Sequence, residues 1–200
     1  MFVIVRHGNT FAAGEPPRRI GARTDLPLTP AGVAQGQALG AHFAATGWRF
    51  ARVLVSPLER TRRTAQAILE HQNNPPAAIA CDWLREIDHG PDENRTEDEV
   101  LARIGAGALA AWDERAQPPP DWIVDAEARH AAWRDLFASD PGPTLVVSSN
   151  GAARFALSAD PALVAARSKL PSLKLPTGSY GVIRKSSAGT LEVPVWGLRP

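Results

Sequence analysis

Short apolar runs along the chain are separated by longer stretches in which apolar and polar residues mix at helical spacing. Phe2-Val3-Ile4-Val5, Arg52-Val53-Leu54-Val55 and Thr144-Leu145-Val146-Val147 are rich in β-branched and aromatic residues and too short for helices, so they read as buried strands. Local chemistry marks the helix starts. Thr29-Pro30 offers an N-cap hydroxyl followed by proline at the first helical position, opening an Ala-rich helix towards Gly47. Ser56-Pro57-Leu58-Glu59 and Thr96-Glu97-Asp98-Glu99 both have the spacing of a capping box. They predict helices to about His71 and towards Arg115. Further helices are expected over roughly Asp125 to Ala138 and from about Ala152. Ile79 to Asp82 is a short strand candidate and Trp83 to Arg95 a loop. Tyr180 to Arg184 and Leu191 to Val195 are late strands, with Ser186 to Gly189 as the turn between them.

Strands that alternate with helices imply an α/β fold, a largely parallel sheet with helices on both faces. The length of 200 residues suits one domain, and neither Pro16-Pro17 nor Pro118-Pro119-Pro120 separates regions of different composition. Three of the apolar strands end in polar motifs: Arg6-His7, Ser56 and Ser149-Asn150. In a parallel sheet those ends share one edge, where α/β proteins bind ligands.

Composition narrows the function classes. Hydrophobic residues make up 44% of the chain and charged residues 22%, with a net charge of +1. That balance argues against disorder and against general attraction to nucleic acid or an anionic membrane. The arginines nevertheless cluster, as Arg18, Arg19 and Arg23 and then Arg60, Arg62 and Arg63. Cys81 is the single cysteine, which leaves no intramolecular disulfide and no cysteine-based metal site. Apolar stretches stop short of a membrane span, and Arg6 and His7 come too early for a signal peptide, so a cytoplasmic location is expected.

The first strand delivers Arg6-His7-Gly8-Asn9-Thr10 to its C-terminal end. A guanidinium forks onto phosphate oxygens, and a neutral imidazole is a nucleophile near pH 7. Together they suit attack on a phosphate.

That segment resembles the signature of the histidine phosphatase (phosphoglycerate mutase-like) superfamily, and four more segments match in order. Gly21 with Asp25-Leu26-Pro27-Leu28-Thr29-Pro30-Ala31-Gly32 resembles "G-x-x-D-x-P-L-T-x-x-G". Ser56 to Ala65 resembles "S-P-L-x-R-T-x-x-T-A", and Leu84 to Gly90 resembles "L-x-E-x-x-x-G". Val146 to Arg154 sits where the family has "V-V-S-H-G-G-x-x-R". The resemblance covers residue 2 to about 157. It implies His7 as a nucleophile that forms a phosphohistidine, and Arg6 and Arg60 as phosphate clamps. It implies Glu86 as the acid that protonates the leaving oxygen, for which a raised pKa is expected. Asn9 and Thr10 shape the phosphate loop. The scheme requires neither metal nor cofactor, and its partner is a small phosphorylated substrate, with no nucleic acid and no membrane.

Two departures qualify it. Ser149 stands where the family places a second histidine, and losing one charged donor from such a pocket costs roughly 10²–10³ in rate. Of the other histidines, His42, His71 and His130 fall on expected helices, and His89 lies in a motif segment. His89 or Asn150 is therefore the expected substitute in the phosphate pocket, alongside Ser149 itself. The second departure is Gly90-Pro91-Asp92-Glu93-Asn94-Arg95-Thr96, where the family often has "G-x-W-E-G-x-T". Acidic residues there, at the substrate entrance, disfavour a second phosphate on the substrate. The leading expectation is a phosphomonoesterase of altered or reduced activity. The alternatives are an impaired phosphate-ligand binding protein and a phosphomutase, which needs a closed pocket that keeps water from the phosphohistidine and for which the sequence offers no lid beyond the Glu93 to Pro120 insertion.

Overall fold

The computed structural model describes residues 1–139 and 141–200. Among these residues six strands form one sheet: β1 (Phe2–Arg6), β2 (Arg52–Val55), β3 (Ala78–Ala80), β4 (Thr144–Ser148), β5 (Tyr180–Lys185) and β6 (Leu191–Leu198). Their spatial order is β3-β2-β4-β1-β5-β6. β3, β2, β4 and β1 pair in parallel. β5 and β6 join antiparallel, because the short turn between them can only reverse the chain.

Among the described residues six α-helices surround the sheet: α1 (Pro30–Ala45), α2 (Glu59–Leu69), α3 (Glu97–Arg115), α4 (Ala126–Ala138), α5 (Asn150–Ala153) and α6 (Pro161–Arg167). Alternate strand residues feed two cores, as the two-residue period of a strand requires. Val3, Val5, Val53, Val55, Leu145 and Val147 pack with Leu39 and Phe43 of α1 and Ile68 of α2. Phe2, Ile4, Leu54 and Val146 pack on the opposite face with Trp133 and Leu136 of α4 and with Phe155. Both faces of the sheet centre are thus covered, and β1, β2 and β4 are apolar along most of their length.

Thr29 caps α1 by accepting from Gly32 N–H, and Thr96 and Glu99 form a full capping box on α3. The box expected at Ser56 does not form. Leu58 is the N-cap of α2 and makes no side-chain cap bond, while Ser56 Oγ accepts only a long bond from Leu58 N–H at 3.4 Å. Asp25 supplies the cap instead, its two oxygens accepting from Glu59 N–H at 2.9 and 3.0 Å. A carboxylate at that end also suits the helix dipole. The segment after β4 turns helical at Asn150, two residues earlier than expected, and tightens to a 3₁₀ turn over Arg154–Ser158. Asp160 then caps the separate helix α6.

Candidate active site

β1 and β4 run in parallel, so His7 and Asn150 emerge at the same sheet edge. A cavity of about 240 Å³ lies there, with Arg6, His7, Asn9, Glu86, His89 and Asn150 in its wall. The loop after β1 is pressed onto α1, since a Cβ on Gly8 would overlap Gly32 O. Glycine at position 8 is therefore required by packing against the first turn of α1. Gly8 N–H donates to Thr64 Oγ1 at 3.0 Å, which ties the same loop to α2.

His7 is buried, with Nδ1 2.8 Å from Gly8 O. A carbonyl only accepts, so Nδ1 carries the hydrogen and Nε2 keeps its lone pair. Burial, and after it the charges of Arg60 and Arg6, hold the imidazole pKa well below 6.5. His7 is neutral at physiological pH, as an attacking imidazole must be. Arg6 donates to Leu175 O at 2.8 Å. Burial pushes its pKa down to about 10, against the attraction of Glu86, which leaves it a cation. Arg60 is fully buried and donates to Thr24 O at 2.7 Å and Gly21 O at 3.1 Å. It stands outside the cavity wall, but its charge acts on both His7 and Glu86.

Glu86 departs from the expected acid. Burial raises its pKa, but His89, the N–H groups of Gly151 and Ile87, and Arg60 together outweigh it, and the net direction is down. Oε1 accepts from Ile87 N–H at 2.9 Å and Ala152 N–H at 3.0 Å, and Oε2 from Gly151 N–H at 3.0 Å. Hydrogen bonds to the charged form favour it. Glu86 is a carboxylate in the free protein and the shared counter-charge of Arg6, Arg60, Arg129 and Arg154. Its segment is pinned by Ser148 Oγ donating to Leu84 O and by Arg129 Nη1 donating to Trp83 O and Arg85 O.

The residues around the missing histidine separate. Ser149 is fully buried, its Oγ has no hydrogen-bond partner, and it stands outside the cavity wall. Asn150 and His89 both line the cavity. Asn150 Oδ1 accepts from Leu175 N–H at 2.9 Å, leaving the amide nitrogen as its donor. Asn9 Oδ1 accepts from Thr177 Oγ1 at 2.9 Å, so the loop before β5 braces two phosphate-loop residues. Thr10 also lines the cavity.

The acidic pair at the entrance is a correction. Neither Asp92 nor Glu93 is in the cavity wall. Asp92 is clamped by Arg103 and accepts from Trp122 Nε1, and Glu93 accepts N–H groups of Gly21, Arg23 and His89. Their charges are spent on the fold. Phe11, Arg18, Arg19, Glu97 and the buried Trp112 line the cavity instead. Arg19 pairs with Glu97 at 2.7 Å. Trp112 and Glu97 both come from α3, a helix that the capping box at Thr96 predicts but that none of the matching motifs assigns to the site. Among the described residues no cluster of His, Cys, Asp and Glu could hold a metal ion, and no helix is long and apolar enough to cross a membrane.

Comparison with known proteins gives a consistent result. Three solved structures share the fold. A mycobacterial hydrolase superposes with a TM-score of 0.77 at 20% identity, covering 100% of this chain and 98% of its own. A mycobacterial glucosyl-3-phosphoglycerate phosphatase gives 0.75 at 22%, covering 98% and 97%. A putative α-ribazole-5'-P phosphatase from Escherichia coli gives 0.71 at 23%, covering 99% and 96%. Among curated relatives, a 2,3-bisphosphoglycerate-dependent phosphoglycerate mutase of Treponema pallidum is 28% identical over 127 residues, 61% of this chain and 51% of that protein. The chain thus spans about half the length of that relative. The family model of the histidine phosphatase superfamily, branch 1, matches residues 2–193. With a match of that extent, the chain belongs to the histidine phosphatase superfamily.

Proposed function

We propose that the protein is a phosphomonoesterase that works through a phosphohistidine on His7. The observation that carries this reading is the state of the His7 ring. It lies in a cavity wall, its Nδ1–H is fixed on Gly8 O, and burial, with the charges of Arg60 and Arg6, keeps it neutral. Nε2 attacks phosphorus, the ester oxygen leaves, and water then hydrolyses the phosphohistidine. Arg6 and Asn150 donate to the phosphoryl oxygens from the cavity wall, with Asn9 shaping the loop. Arg60 contributes its charge from behind, and Glu86 holds the arginines in register. Ser149, short and buried, offers no charged donor, so turnover is slower than with a second imidazole. A cavity of about 240 Å³ suits a small phosphate ester rather than a polymer.

The experiment is hydrolysis of 4-nitrophenyl phosphate between pH 5 and 8 by wild type and His7→Ala, with acid-labile phosphate on the protein measured after rapid quench. Turnover and label in wild type alone support the reading. Equal background in both proteins refutes it and leaves a phosphate-binding protein, the reading favoured by the replacement at Ser149.

A further inference from the structure

A leaving alkoxide needs a proton, and the free protein holds Glu86 as a carboxylate on three backbone N–H groups. The other titratable groups in the cavity wall are Arg6, His7, Arg18, Arg19, His89 and Glu97. Guanidinium groups do not release protons at working pH. His7 is the nucleophile, and Glu97 is half exposed in an ion pair with Arg19. His89 remains.

Its surroundings are built. His89 is 5% exposed, and its ring meets Trp122 edge-on with centroids 4.5 Å apart. Trp122 is fixed through Nε1 on Asp92 at 2.7 Å, and Arg103 clamps Asp92 from outside. Arg19 covers the Trp122 ring at 5.5 Å. On the other side, His89 Nδ1 faces Glu93 Oε2 at 3.6 Å, with both side chains nearly buried. Glu93 is immobilised by Gly21 N–H at 2.8 Å and Arg23 N–H at 3.2 Å, and against burial its contacts with His89, Thr24 and Gly21 N–H hold its pKa down to about 2. His89 Nδ1 makes no hydrogen bond, so the Glu93 carboxylate acts on the ring through its charge, favouring the orientation that keeps Nδ1 beside it and leaves the other nitrogen for chemistry.

We propose that His89 is the proton-transfer residue of this site and that Glu93 is its positioning residue. The proposal rests on the phosphohistidine reading. In the first half-reaction the His7 Nε2–P bond forms and the P–O ester bond breaks, while the His89 Nε2 proton passes to the leaving oxygen. In the second, the now neutral His89 takes a proton from water as the new O–P bond forms. The N–P bond breaks with its electron pair returning to His7, and His89 ends protonated again.

Leaving-group dependence tests it. Nitrophenolate departs without a proton, whereas an alkoxide does not. kcat/KM is measured for 4-nitrophenyl phosphate and glycerol phosphate with wild type, His89→Ala, His89→Gln, Glu93→Gln and Glu86→Gln. The His89 variants are expected to lose about 10²-fold or more with glycerol phosphate and less than about tenfold with the aryl ester. Glu93→Gln shows the same bias at smaller size, in kcat rather than KM. His89→Gln decides the matter alone if Glu93→Gln does not fold. Equal losses on both esters, or a leaving-group bias found in Glu86→Gln instead, overturn the proposal. Failure of the phosphohistidine reading would show in wild type itself, as turnover no greater than that of His7→Ala, so the two failures are distinct.

Discussion

Replacing Gly151 with alanine is the sharpest probe of how the carboxylate of Glu86 is held. Alanine in place of a helical glycine ordinarily stabilises by about 0.5–1 kcal/mol. Gly151 lies in α5 and is buried, and a Cβ there would overlap Glu86 Oε1 and stand 3.0 Å from Cδ. Ordinary carbon contacts are about 3.5–4.0 Å, so the carboxylate must retreat by roughly 0.5–1 Å. The bonds from Gly151 and Ala152 N–H are already 3.0 Å long and do not survive that retreat. Hydrogen bonds to a charged group are worth about 1.5–3 kcal/mol each, so the net loss is about 2–5 kcal/mol after the helical gain. Urea unfolding at pH 7 measures it, with an unchanged m-value showing that the comparison is sound. Gly107→Ala on α3, where a Cβ meets nothing within 4 Å, is the control and is expected to stabilise. Because the Glu86 pKa is lowered on folding from 4.5, its contribution is complete above that value and is lost as pH falls through the folded value. The Gly151→Ala deficit therefore shrinks at acid pH. A Gly151→Ala protein as stable as wild type at pH 7 would refute this account of Glu86.

Asp25→Ala removes the cap from α2, for an expected loss of about 1–2 kcal/mol read as a lower urea midpoint. Thr96→Ala opens the box on α3 and costs about 1 kcal/mol in the same assay. His7 resists protonation when folded, so the unfolded chain takes up the proton first as pH falls below 6.5. Wild-type stability should thus decline from pH 7.5 to 5.5, and His7→Gln should flatten that slope in thermal unfolding. Trp122→Phe deprives Asp92 of one donor while Arg103 remains, and an expected loss of about 1 kcal/mol is read in the urea midpoint.

What could be read from the residues was what depends on neighbours in sequence. The strands Phe2–Arg6, Arg52–Val55 and Thr144–Ser148 follow from apolar runs, and the box at Thr96 from a three-residue spacing. His7 was legible because it follows one of those runs. The misreadings involve distant partners. Ser56 has the right spacing for a cap, but Asp25 competes for the same N–H from 34 residues away. The ionised state of Glu86 depends on N–H groups 65 and 66 residues later. The loop near Leu175 and Thr177, which braces Arg6, Asn150 and Asn9, has no periodicity to reveal it.

The strand order also has a consequence for how the chain reaches its working state. β1 is made first, yet its two neighbours in the sheet begin at residues 144 and 180. A nascent chain therefore cannot seat His7 until most of the protein has left the ribosome. Pairings that span so much sequence are slow to form and leave strand edges open meanwhile. The appearance of phosphate binding during refolding should accordingly be a late event, reporting closure of the central strand rather than formation of the helices.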